Sequence, residues 1–122
     1  MATEQEVYDF IFNKYAVTDE GNRFFSMEIE TTRGRTHKVY AGVQGNALQL
    51  TAPVVWANRI DADGVLSANT SMFGIVTAGG AYSLKHNVFV EDIDESEIRN
   101  AFLKLAVEAD DLEAQLGFQD EF

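Results

Sequence analysis

MFGIVTAGGAYSLKHNVFVEDIDESEIRNAFLKLAVEADDLEAQL, residues 72–116, decides the fold. Two runs of strand character, 72–78 and 82–90, flank Gly79-Gly80, a pair suited to a hairpin turn with positive φ. Tyr82, Leu84, His86, Val88 and Val90 alternate with Ser83, Lys85 and Asn87, which makes one face of the second run apolar. Asp94 followed three residues later by Glu97 is a capping-box pattern with Asp in place of Ser or Thr. Beyond it Ile98, Phe102, Leu105, Ala109, Leu112 and Leu116 recur at steps of four and three, one face of a 3.6-residue helix. Arg99, Asn100, Lys104, Glu108, Asp111 and Glu113 fall mostly on the opposite side, and Gly117 stands where a C′ glycine ends a helix. The spacing predicts a helix over about 95–116. Leu103 and Val107 lie outside its main stripe. They are either the flank of a wide buried face or a second contact surface, used by a partner or a second copy.

Upstream, Thr3 and Glu6 form another capping box. Val7, Phe10, Ile11 and Tyr15, or Tyr8, Ile11 and Phe12, continue at helical spacing to about Ala16. Asp19-Glu20-Gly21-Asn22 reads as a loop. Phe25, Met27, Ile29 and Thr31 then alternate with Phe24, Ser26, Glu28, Glu30 and Thr32, a half-buried strand with both glutamates in water. Arg33-Gly34-Arg35 turns the chain into a second strand, with His37, Val39, Ala41 and Val43 on one face and Lys38 and Tyr40 on the other. Gln44-Gly45-Asn46 is the next turn, and Leu48 and Leu50 start a third strand. Pro53 cannot donate to a ladder, so it marks a strand end or an edge. Val54-Val55-Trp56 is a compact apolar patch just past it. A short helix is expected over 65–72, with Leu66 and Ala68 packing inward, and a loose tail over 118–122. The resulting order, α-β-β-β-(short α)-β-β-α, argues an α+β domain. Its five-stranded, largely antiparallel sheet carries the N- and C-terminal helices on one face.

The totals limit what such a domain does. One domain is expected for 122 residues, and 46% hydrophobic residues are enough for a core. The absence of Cys excludes disulfides and thiolate metal sites and favours a reducing compartment. Twenty acids against 9 bases, net −11, disfavour a phosphate backbone as partner. The start MATEQEVYDF has no basic n-region and no apolar run approaches a membrane span, so a cytoplasmic protein free of the membrane is expected.

No chemistry stands out. His37 and His86 fall on apolar strand faces without a second ligand at helical or hairpin spacing, so no metal set can be named. Asp61-Ala62-Asp63-Gly64 is part of a calcium-loop pattern whose later ligands are absent. No nucleophile–base pair is apparent, so catalytic and cofactor residues are none. The large apolar residues near the link or on polar-leaning faces are the candidate contact surface. They are Val54, Val55, Trp56, Met72, Phe73 and Phe89, with Tyr40 beside them and Leu103 and Val107 on the last helix.

From Ala57 to Leu116 the chain resembles type III secretion chaperones, and in particular the chaperone-like YbjN family of small bacterial proteins. The resemblance is carried by Leu66-Ser67-Ala68-Asn69, by Met72-Phe73-Gly74-Ile75-Val76, by Phe89-Val90-Glu91-Asp92-Ile93-Asp94 and by Ala109-Asp110 near the end of the helix. It implies an acidic, cytoplasmic, non-enzymatic α+β domain that pairs into homodimers and binds extended segments of other proteins, or acts as a regulator. The short link helix departs from secretion chaperones, where that element helps form the dimer contact. The expected function is therefore a chaperone-like protein-binding module. The alternative is a small-ligand sensor with a pocket between helix and sheet.

Overall fold

Thr3 opens the first helix for a local reason. Its hydroxyl accepts the Glu6 N–H at 3.1 Å, and the Glu6 carboxylate accepts the Thr3 N–H at 3.0 Å. In the computed structural model, which describes residues 3–31, 34–91, 93–117 and 122, this helix is α1, Glu4–Lys14. It buries Val7 and Ile11. Tyr8 and Phe12 stack on each other and set their rings edge-on to Phe25 of the sheet.

Six strands follow: β1 (Thr18–Gly21), β2 (Phe24–Glu30), β3 (Thr36–Gln44), β4 (Ala47–Trp56), β5 (Gly74–Ala78) and β6 (Ala81–Phe89). Their order in the sheet is β1-β2-β3-β4-β6-β5, and every neighbouring pair is antiparallel. The α+β class and the antiparallel sheet are as expected, with one strand more. Residues 18–21, with 19–21 expected in a loop, pair with β2 through a two-residue turn at Asn22 and Arg23, both with positive φ. All four residues of β1 are exposed, so no apolar alternation betrays the strand. The turns at Gly45-Asn46 and Gly79-Gly80 likewise have positive φ at both central residues, the geometry that matches strand twist.

Helix α2 spans Ala62–Ala68, earlier than the 65–72 expected, because Asp61 caps it by accepting the Gly64 N–H at 2.9 Å. The Asp-Ala-Asp-Gly stretch is therefore a helix start. Val65 is its buried residue; Leu66, expected inside, is exposed. Helix α3 spans Glu95–Leu116, capped by Asp94 and ended by Gly117 in the left-handed region. It lies across β2, β3, β4 and β6 on the same face as α1, and Tyr15 of the α1 cap meets Phe102 of α3. The core fills the space between these helices and one sheet face, with Phe25, Val39, Leu48, Leu50 and Leu84 from the strands and Ile98, Phe102 and Leu105 from α3. Thr32, Arg33 and the tail over 118–121 lie outside the described residues. Phe122, expected to be loose, is anchored: the Lys38 N–H donates to its carbonyl at 3.0 Å.

Candidate functional site

Pro53 does not end β4. The ladder between β3 and β4 runs only from Gln44↔Ala47 to Tyr40↔Thr51, while β4 continues along β6 as far as Trp56↔Ala81. A proline has no N–H to offer the vacated side, and a register shift between Pro53 and Val55 bends the strand further. The two strands therefore part, and side chains bridge the opening. The His37 ring Nε2 meets the Pro53 carbonyl at 2.6 Å, and the Lys38 N–H, left without a β4 partner, donates to the Phe122 carbonyl.

On the face away from the helices this parting makes a groove of about 340 Å³, lined chiefly by Phe24, Tyr40, Pro53, Trp56, Ala81 and Phe122. Phe24 stacks with Tyr40, and its ring passes over Gly42, where a Cβ would meet it at 3.0 Å. Phe24 is 44% exposed and Trp56 40%. The Phe122 ring lies against Trp56 with a centroid separation of 5.1 Å.

The residues proposed from sequence as one surface are dispersed. Val54, Val55 and Phe73 are buried in the core and leave the surface, because the shift at Pro53 turns two consecutive valines inward. Trp56 lines the groove. Phe89 is exposed on the same sheet face, but Trp56 pairs with Ala81, eight residues back along β6, roughly 26 Å away. Met72 is exposed beside a second, open cleft between β6 and α3, bounded by Phe73, His86, Ala101 and Lys104. Burial holds the His86 imidazole below its ordinary range, and its ring lies 4.9 Å from Phe73. Leu103 is exposed on α3 and Val107 half-buried. Phe24 and Phe122 were missed, although Phe24 stood in the sequence on the same strand face as the glutamates.

A polar cluster was missed as well. Glu113, read as solvent-facing, is buried, as are Asp110 and His37. The apolar stripe of α3 carries on into two acids, spaced i, i+3, which lie over His37 of β3. Asp110 accepts hydrogen bonds from Thr31 Oγ1 at 3.1 Å and from Arg35 Nη2 at 2.7 Å. Nδ1 of His37 stands 3.8 Å from Asp110 Oδ1 and 3.6 Å from Glu113 Oε1. Among the described residues these three side chains are the set able to hold a metal ion.

Comparisons with protein-family models, curated proteins and solved structures gave no match. Among the described residues no helix is long and apolar enough to cross a membrane.

Proposed function

We propose that this chain is a non-enzymatic, chaperone-like protein-binding module that holds an extended apolar segment of a partner on the outer face of its sheet. The observation that carries this reading is Phe122 in the groove. Its ring rests on Trp56 and its carbonyl takes the Lys38 N–H. A partner segment makes the same two contacts, an aromatic anchor and a main-chain hydrogen bond to an unpaired strand edge. Phe122 then acts as the occupant a partner displaces. The resemblance to secretion chaperones supports the same reading, including a cytoplasmic homodimer. The acidic surface, net −11, favours partners with basic flanks.

The test is binding of 12-residue peptides, aromatic in the centre and basic at both ends, followed by Trp56 fluorescence and by NMR. Phe122→Ala should bind such peptides at least several-fold more tightly than the wild type, and Trp56→Ser should lose them. Equal binding by all three proteins would remove the groove from the account. A second reading, a small-ligand sensor, rests on the cleft between β6 and α3, which a partly buried imidazole, Lys104 and Asn100 line together with Phe73. Metabolite titrations that move the Phe73 and His86 resonances and leave Trp56 unmoved would favour it.

A further inference from the structure

We propose that His37, Asp110 and Glu113 form a structural site for a divalent transition-metal cation, which ties the end of α3 to β3. Buried charges are costly unless they are paired or coordinate metals. Here two carboxylates and an imidazole, each no more than 1% exposed, converge from two elements, with their ligand atoms all within 4.8 Å of one another.

The histidine geometry favours a cation over a direct hydrogen bond. The Pro53 carbonyl at 2.6 Å from Nε2 can only accept, so Nε2 carries a proton and donates it. That leaves Nδ1 as the nitrogen turned toward the acids. A histidine whose far nitrogen donates to a backbone carbonyl is the usual arrangement around a metal-bound imidazole. The separations of 3.6 and 3.8 Å from Nδ1 to the two carboxylate oxygens are too long for direct hydrogen bonds. Two ligands about 2.1–2.2 Å from one ion at a tetrahedral angle stand about 3.4–3.6 Å apart, which the separation to Glu113 meets and the one to Asp110 exceeds, so binding an ion draws Asp110 slightly inward.

Arg35 and Thr31 hold the Asp110 carboxylate in place, through Oδ1 and Oδ2 respectively. A carboxylate oxygen that accepts one hydrogen bond keeps a lone pair for an ion. Arg35 also competes with an ion for Asp110 and weakens the site relative to three ligands alone. One imidazole and two carboxylates without a thiolate suit zinc, manganese or cobalt. The burial makes the role structural.

The experiment is titration of chelator-treated protein with Zn²⁺ and Co²⁺ by calorimetry, visible spectroscopy and thermal melting. One equivalent should bind and raise Tm, and Co²⁺ should give d–d absorption. Glu113→Gln, shown by circular dichroism to be folded, should lose at least tenfold in affinity, whereas the exposed control Glu28→Gln should lose nothing. Absence of binding, or equal loss in both variants, would overturn the site. Should Glu113→Gln not fold, NMR of the His37 ring nitrogens decides on wild-type protein. A Zn²⁺-dependent shift at Nδ1 supports the site. A Zn²⁺-insensitive ring protonated on both nitrogens would assign the place of the cation to a proton.

Discussion

Asp94 shows how much one side chain settles locally. Its carboxylate accepts the Glu97 N–H and the Ser96 hydroxyl, both at 2.8 Å. Those bonds, the backbone one foremost, hold it below the usual carboxylate range. A carboxyl whose folded value is depressed contributes stability above its unfolded value, and that contribution is lost as pH falls through the folded one. Asp94→Ala should therefore melt below the wild type at pH 7, and the gap should close as the pH is lowered past about 4. Melts that stay equally far apart from pH 7 to pH 3 would contradict this. His37 shows the opposite case. Period-two alternation places it on an apolar strand face, but nothing nearby in sequence names Pro53, Asp110 or Glu113 as its company.

Among the elements, α3 was the most legible, because its cap, its stripe and its terminating glycine all lie within one continuous segment. Its stripe is core: Phe102 is 1% exposed and its ring meets Tyr15, the residue that caps α1. Phe102→Ala should cost about 3–5 kcal/mol in denaturant unfolding, from lost transfer energy and the cavity left behind. A cost below about 1 kcal/mol would mean the helix does not bear on the sheet as described. The stripe misled at one end only, since Glu113 continues the buried face with an acid. Strand β1 was illegible for the reverse reason. It is polar, exposed and paired at the sheet edge, so its backbone ladder and one side-chain bond, from the Ser26 hydroxyl to the Glu20 carboxylate, define it, and no apolar pattern does. Strand β4 shows what Pro53 means in context: it faces the side where pairing with β3 has stopped, so a central strand tolerates it.

At the level of the molecule, the helices cover one sheet face and leave the other to Phe24, Tyr40 and Trp56. Leu103 and Val107 add apolar surface on the outside of α3. On the homodimer reading, light scattering should give twice the monomer mass across a range of concentration and salt, and Val107→Glu should give a folded monomer. A wild-type monomer at all concentrations would end the dimer proposal, and a dimeric Val107→Glu would move the contact elsewhere.

The sequence by itself determined the helices α1 and α3, the hairpins at Gly45-Asn46 and Gly79-Gly80, and hence the α+β antiparallel architecture. Caps, turns and amphipathic periods act over two to four residues, so their causes are contiguous in the chain. Only the tertiary structure decided where β3 and β4 part, which aromatic residues meet in the groove, and that His37 faces acids on α3. The Arg35–Asp110 pair that frames this cluster spans 75 positions, and Thr31–Asp110 spans 79. Such contacts depend on how a helix lies across a twisted sheet, a property of packing that no local pattern encodes.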